Sequence, residues 1–309
     1  MSSDSTTSDP NLMSLAVLIL NWNRAEDTIH CVQSVQAWLR PGDVIWVIDN
    51  NSAPADRTQL QQTLSGQVTF IFNKANLGFA AGNNVGLQAA LAAGHDLVLL
   101  LNNDATVDGT AVTQLLTLLQ NNPQLGMVGP EMWDGDQMLS AGGSDIGLAL
   151  NTHLQKPLAA GEVREVAYVP GTCIFMRTAV LHQTGLLDEA YFFGGEVADL
   201  CARAWQAGYQ SAILGGARAT HQIERSAGQR HQLHIYYVLR NRFLYVQKFH
   251  PNQRLRLYFR WSIIGGRIWL EALLRRNWPR ARAAALAVWD GWNGRFGGQN
   301  ARVTKGEIA

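Results

Sequence analysis

Five short clusters in this chain carry residue types that can hold a cation, an anion or a proton. Asn102-Asn103-Asp104 closes the apolar run 97–101. Oxygen-bearing side chains this close together at a strand end can reach one hard divalent cation, and Mg²⁺ or Mn²⁺ held by few protein oxygens leaves room for phosphate oxygens. The same tripeptide also makes an ordinary turn. Asp49-Asn50-Asn51-Ser52 closes the run 44–48. A carboxylate there can accept hydrogen bonds from a nucleobase or a ribose, or simply anchor a turn. The stretch 76–86 is rich in Gly, Ala and Asn and opens a helical pattern, so its backbone N–H groups can cradle an anion. It lacks the G-x-G-x-x-G spacing of a dinucleotide site and the Gly-Lys-Ser/Thr ending of a P-loop. Glu196 and Asp199 lie three apart near the start of a helical pattern and share a face. They suit a general base for a hydroxyl, or acids placed to complement the helix dipole. His221 follows a Gly/Ala-rich segment and suits a metal or phosphate contact, though a lone histidine also serves as ordinary structure.

The elements around these clusters follow from hydrophobic periodicity. Short apolar runs at 15–20, 44–48, 68–72, 97–101 and 169–177 predict strands. Apolar residues at helical spacing predict helices over 26–39, 85–93, 112–120, 179–184 and 198–207, with Gly208 as a C-terminal stop. Strand–helix alternation with continuously apolar strands predicts an α/β fold, a mostly parallel sheet flanked by helices. In an open α/β sheet, ligands sit beyond the carboxyl ends of the strands. Asn21, Asn23, Asp49, Asn102 and Asp104 are therefore expected along one rim. The stretch 131–166 is richer in Gly and polar residues and is expected to hold short strands and a loop near the acceptor.

With 309 residues, 47% of them hydrophobic, the chain can bury one large domain with a smaller attachment. Residues 1–12 are expected to form a disordered leader, since the Ser/Thr/Asp-rich start has no basic, apolar signal-peptide pattern. Residues 13–232 are expected to form the α/β domain and 233–309 a basic amphipathic helical region. Cys31, Cys173 and Cys201 show neither zinc spacing nor a disulfide framework, which suits small buried hydrophobes in a reducing cytoplasm. The net charge of +1 conceals a split: residues 1–217 carry 8 Lys/Arg and 20 Asp/Glu, whereas residues 218–309 carry 17 and 4. That asymmetry points to an anionic partner for the C-terminal part.

Six segments, in order, resemble the inverting glycosyltransferases of family 2, with the GT-A fold, and within it a bacterial rhamnosyltransferase-like branch. They are LAVLILNWNRAEDTIHCVQSV, VIDNNS, NLGFAAGNNVGLQAAL, LVLLLNNDATV, GTCIFMRTAVLHQTGLLDEAYFFGGEVADLCARAWQAGY and ATHQ, spanning residues 15–221. The resemblance implies a metal-dependent transfer of a sugar from a nucleotide-sugar donor, a dTDP-rhamnose or UDP-sugar among the candidates, to a saccharide or lipid-linked saccharide acceptor. By it, Asn102 and Asp104 would hold Mn²⁺ or Mg²⁺, with His221 as a third contact. Asp49 would read the nucleobase, Asn21 and Arg24 would line the nucleotide pocket, and Asn76, Gly78, Asn83 and Asn103 would lie near the donor. The family usually shows Glu-Asp-x-Asp where this chain has Glu196-Val197-Ala198-Asp199. Valine takes no proton, so the base falls to Glu196, favoured here, or to Asp199. The departure also keeps open a catalytically impaired homologue that binds nucleotide-sugar or glycan.

Beyond residue 232 the pattern mixes arginines with apolar residues and tryptophans. Tyr236 to Phe243 resembles a family helix that follows the catalytic core. The segments 254–275 and 279–292 carry Trp261, Trp269, Trp278, Trp289 and Trp292. Basic amphipathic helices with interfacial Trp suit an anionic membrane surface, and the same helices can instead pack on the catalytic domain. No recognisable nucleic-acid module accompanies the basic charge. A cytoplasmic enzyme, peripheral on the inner face of the membrane, is the expected setting.

Overall fold

A computed structural model describes residues 13–221 and 231–304; the expected leader lies outside them. The N-terminal half alternates strand and helix: β1 (Leu15–Asn21), α1 (Ala25–Gln36), β2 (Val44–Asp49), α2 (Pro54–Leu64), β3 (Thr69–Phe72), α3 (Gly78–Ala92) and β4 (Leu97–Asn102). Then come β5 (Ala105–Val107), α4 (Gly109–Asn121), β6 (Leu125–Asp134), β7 (Gln137–Ser140), β8 (Val163–Glu165), β9 (Cys173–Arg177), α5 (Thr178–Thr184), α6 (Glu196–Gln206) and β10 (Gln210–His221). The chain closes with α7 (His231–Phe249), α8 (Arg254–Leu274), α9 (Trp278–Trp292) and the short α10 (Asn300–Thr304).

Among the described residues the strands form one sheet in the order β3-β2-β1-β4-β9-β6-β10-β5, with β7 beside β6 and β8 beside β10. The run β3-β2-β1-β4 is parallel, as the alternation predicts. Beyond β4 the sheet is mixed, because β9 enters antiparallel between β4 and β6. Strand periodicity divides the core. Leu15, Val17 and Ile19 of β1 face a cluster with α1, α2 and α4, while Ala16 and Leu18 face a second cluster with α3, α5 and α6. Each fully buried aliphatic side chain contributes about 1.5–3 kcal/mol, so a strand buried on both faces is a strong anchor for the polar residues at its end.

Several elements went unforeseen, among them α2, β6 and β10. Helix α2 buries only Leu60 and Leu64 and starts on Pro54, so it has almost no apolar stripe. Strands β6 and β10 are long, but Pro130 and the pair Gly215-Gly216 interrupt their patterns. The strand expected over 169–177 begins only at Cys173.

The C-terminal helices form their own core, in which Tyr236, Tyr237 and Phe243 of α7 meet Tyr258 and Trp261 of α8 and Ala283 and Ala287 of α9. Helix α7 also packs on the sheet, where Leu244 and Tyr245 join the second sheet-face cluster.

Candidate active site

Parallel pairing sets the rim. Asn21 pairs with Asp49 across β1 and β2, and Leu20 pairs with Asn102 across β1 and β4. All three polar residues therefore end their strands side by side, at the edge where α/β sheets take ligands.

The Asp49 corner is a closed network. Its Oδ2 accepts from Arg57 Nε at 3.1 Å, Arg57 Nη2 at 2.9 Å and the Ser52 backbone N–H at 3.2 Å. Its Oδ1 accepts from Asn21 Nδ2 at 3.1 Å. Asn21 is fully buried; its amide also reaches Ser52 Oγ and Asp56, and its carbonyl accepts from Thr28. Asn21 is thus buried within this network, bracing the strand ends, rather than exposed at the rim. Arg24 stands at the N-cap of α1 beside Asp27, 3.5 Å away. Arg57 was missed by sequence reasoning, since it sits on a helix with almost no apolar stripe to reveal it.

The Gly-rich stretch 76–86 is not an open anion cradle. Helix α3 starts at Gly78, well before the expected 85–93, and its first N–H groups are already taken. Leu77 N donates to Asn50 Oδ1 and Gly78 N to Asn76 Oδ1, while Phe79 N and Ala80 N donate to the Phe192 carbonyl. Gly78 has φ +81°, and a Cβ there would come within 2.6 Å of Phe192. Gly82 and Gly86 let α3 lie on the sheet, since added Cβ atoms would come within 2.9 Å of Leu20 and Ile48. Asn83 donates to Phe79 O inside its own helix. Asn76, Gly78 and Asn83 therefore shape the wall beside the rim, with their polar atoms turned onto protein partners.

The Asp104 corner is different. Strand β5 leaves the Asn-Asn-Asp turn and pairs antiparallel with β10, His221 opposite Ala105. That pairing brings His221 Nε2 to 3.0 Å from Asp104 Oδ1. The distance suits a hydrogen bond but the angles do not, and Asp104 Oδ1 is left buried without a hydrogen-bond donor among the described residues. An imidazole nitrogen and an orphaned carboxylate oxygen facing one point is a donor set that fits Mn²⁺ or Mg²⁺ once phosphate oxygens complete the shell. No cluster of three or more His, Cys, Asp or Glu suited to a metal exists among the described residues, so most of that shell would come from elsewhere. Asn102 sits at the strand end with its N–H held by Thr172 O at 2.9 Å. Asn103 donates to Thr28 Oγ1 at 3.0 Å, fastening the turn to α1.

Thr172 also links this corner to α6. Its neighbour Gly171 packs so closely that a Cβ there would meet Val197 Cγ2 at 2.8 Å. Val197 is buried against that backbone, which is a packing site rather than a place for a carboxylate. The preceding residue, Glu196, is the first of α6 and is buried. Its Oε2 has no hydrogen-bond partner among the described residues. Burial pushes its carboxyl up to about 7 and Asp199 adds to the rise, while the N–H groups of Glu196 and Gly194 pull it partway back. Gly194 and Gly195, at φ +81° and +105°, make the tight turn that aims those N–H groups.

Asp199 is placed quite differently. Its Oδ1 accepts from Arg203 Nε at 2.6 Å, and its Oδ2 from Tyr191 OH at 3.1 Å and from Lys248 Nζ. Lys248 also binds Asp188 at 2.9 Å. Both oxygens of Asp199 are occupied by cations and a phenol, whereas Glu196 Oε2 has no partner among the described residues, so the geometry favours Glu196 over Asp199 as the candidate base.

Helix α7 completes the site from behind. Asn241 Nδ2 donates to the carbonyls of Tyr191, Phe193 and Gly194 at 3.1, 2.9 and 2.5 Å. Arg240, fully buried, donates to Tyr191 O at 2.9 Å, Ala190 O at 3.2 Å and Gly297 O at 2.6 Å. This pair clamps the turn that presents Glu196. Sequence reasoning missed it, although Arg-Asn-Arg inside the otherwise apolar run 236–246 was its signal.

Known proteins resemble the chain across this region. A glycosyltransferase-like family 2 profile matches residues 10–245. A low-salt glycan biosynthesis hexosyltransferase of Haloferax volcanii is 22% identical over 240 residues, 74% of each chain. An N-acetylglucosaminyl-diphospho-decaprenol L-rhamnosyltransferase of Mycobacterium tuberculosis is 26% identical over 244 residues, 70% of this chain and 79% of that one. Among solved structures, a mannosyltransferase of Pyrobaculum calidifontis in complex with GDP-Man and Mn²⁺ shares the fold, with a TM-score of 0.55 at 13% identity over 94% of this chain and 78% of that one.

Proposed function

The chain belongs to the family 2 glycosyltransferases and carries their GT-A fold, and from that premise we propose that it transfers a hexosyl or rhamnosyl unit from a nucleotide-sugar to a lipid-linked saccharide with inversion. The observation that carries the reading is the orphaned carboxylate oxygen of Asp104 facing the His221 imidazole at the strand rim, and the buried Glu196 of α6, which has an unpartnered oxygen, adds a candidate base. The sugar class follows the activities of the two relatives, and the lipid-linked acceptor follows that of the mycobacterial one.

Asp104, His221 and Asn102 would hold Mn²⁺ or Mg²⁺, which when bound stabilises charge on the diphosphate leaving group as a Lewis acid. The rest of the chemistry belongs to the chain. Asp49, buried and held by Arg57, Asn21 and Ser52, would act beside the donor's base or ribose as the anchor of that network rather than as an open edge. Glu196 takes the proton of the acceptor hydroxyl as its oxygen bonds to the anomeric carbon. The bond from that carbon to the diphosphate oxygen breaks in the same step, so the sugar inverts. A carboxyl poised near 7 combines a populated basic form with enough proton affinity to accept. That property favours an active enzyme over an impaired binding homologue, despite the apolar Val197. The three cysteines are buried free thiols, which suits the reducing cytoplasmic side of the membrane.

Stabilisation by UDP, dTDP, GDP and CDP, each with Mn²⁺ and with EDTA, tests the reading. One nucleotide that stabilises only with metal is the expected outcome, and at about 100 times its dissociation constant it adds roughly 2.7 kcal/mol. No stabilisation by any of them, alone or with acceptor, overturns it.

A further inference from the structure

Helix α8 is apolar on two opposite sides. One side buries Leu257, Tyr258 and Trp261 against α7 and α9. The other carries Leu255, Phe259, Ile263, Leu270 and Leu274, each more than half exposed. At 3.6 residues per turn these five fall within an arc of about 100°, in a stripe about 28 Å long. Single apolar residues on a surface need no explanation, but a continuous stripe marks a contact.

Its surroundings name the partner. Helical geometry puts Arg256, Arg260 and Arg267 along one border of the stripe and Trp269 along the other. The one acid of α8, Glu271, is already paired with Arg275 and Arg280. An apolar strip with a cationic rim complements an apolar layer beneath an anionic surface. Trp278 and Trp289 of α9 are also exposed, and indoles favour that boundary. No helix among the described residues is long and apolar enough to cross a membrane, so the stripe would lie along the interface.

The stripe reaches the active site through one loop. Arg260 donates to Leu148 O at 2.6 Å, Trp261 Nε1 to Gly147 O at 2.8 Å, and Arg242 to the carbonyls of Ile146, Ala149 and Leu150. Leu148 and Leu150 face solvent, while Ile146 points inward. A Cβ on Gly195 would lie 3.3 Å from Ile146 Cδ1, and Gly195 directly precedes Glu196. These five residues thus touch Arg260, at the border of the stripe, at one end and the turn before Glu196 at the other.

We propose that the α8 stripe, continued by Leu148 and Leu150, seats the protein on an anionic lipid bilayer and brings the hydroxyl of a bilayer-embedded acceptor to Glu196. The delivery step rests on the glycosyltransfer reading; the docking does not.

Sedimentation of the full chain with vesicles, without donor, tests the docking. Vesicles of mixed phosphatidylglycerol and phosphatidylcholine should bind it about tenfold or more better than phosphatidylcholine alone, and salt should weaken the binding. Phe259→Ser/Ile263→Ser/Leu270→Ser should lose that binding with its melting temperature unchanged. Trp205→Ser, on α6 and 74% exposed, should bind as the parent does. Equal binding by the triple variant, or an equal loss in Trp205→Ser, overturns the proposal. A dimer in analytical ultracentrifugation that the triple variant dissociates also overturns it, since the stripe would then seat a second copy. In the activity arm, the triple variant should keep transfer to a water-soluble acceptor and lose transfer to a vesicle-embedded one. Equal transfer to both overturns the delivery step and leaves the docking result intact.

Discussion

His221 Nε2 lies 3.0 Å from Asp104 Oδ1, in contact but outside hydrogen-bond geometry. Two strands create this relationship. β5 starts directly after Asp104, β10 ends on His221, and their antiparallel pairing closes the gap. Thr106 and Thr220, one step along, pair their hydroxyls at 2.5 Å and lock the register.

Removing either partner should weaken metal-linked donor binding. Asp104→Asn is expected to abolish the Mn²⁺-dependent stabilisation by the cognate nucleotide. His221→Ala should lower Mn²⁺ affinity by about 10–100-fold, the range seen when metal-site partners are lost. Calorimetric titration of Mn²⁺ in the presence of the nucleotide reads both; an unchanged affinity in both variants would place the metal elsewhere.

Glu196→Gln should cut kcat by about 10²–10⁴ while donor-dependent stabilisation persists. In the parent, kcat/KM should rise with pH through an apparent pKa of about 7, because the protonated carboxyl cannot accept the acceptor's proton. Gln should flatten that limb. Retention of the limb in Glu196→Gln assigns the base to another residue.

The same shift affects stability, with a definite sign. A carboxyl raised in the folded state binds its proton more tightly there than in the unfolded chain. Its contribution is therefore best at low pH and is lost as pH rises from about 4.3 to about 7. Glu196→Gln should match the parent at about pH 4 and below and become more stable by pH 8, by up to about 3.5 kcal/mol. Denaturant midpoints at the two pH values provide the check.

Asp199→Asn should behave in the opposite way. It leaves Arg203 and Lys248 without their shared carboxylate, for a loss of about 3 kcal/mol. Both cations keep some solvent access, so the loss sits at the low end of the range for broken buried pairs. Turnover per folded molecule should fall less than about tenfold. A larger fall, with an intact fold, would return Asp199 to consideration as base.

Asn241→Ala removes the donor from three carbonyls of the turn before Glu196. Lower stability by about 2–3 kcal/mol is expected, together with a fall in kcat that exceeds any change in donor KM. Equal effects on kcat and KM would mean that the clamp only holds the fold.

What could be seen in advance depended on where the signal lay. Strands β1, β2 and β4 were legible because they are buried on both faces and so uniformly apolar. Their terminal polar residues stood out by contrast, which put Asn21, Asp49 and Asp104 at one rim. Helix α2 and its Arg57 were not legible, since a helix that buries only two leucines leaves no periodic stripe. The stretch 76–86 misled because glycine serves two ends. Its composition suited an anion loop, but Gly82 and Gly86 provide close packing of α3 on the sheet, and the N–H groups at the helix start are spent on Asn50, Asn76 and Phe192.

The sequence by itself determined the α/β alternation, the family, the rim residues and the acidic positions of α6, because each is written in local periodicity or in short contiguous motifs. Only the tertiary structure decided which acid is free. Glu196 and Asp199 share a helix face, yet Asp199 meets Lys248 from α7 and Tyr191 from the preceding turn, whereas Glu196 Oε2 meets no donor among the described residues. Long-range packing makes that difference: a carboxylate's proton affinity depends on the charges and water around it, and those come from parts of the chain that only folding brings together.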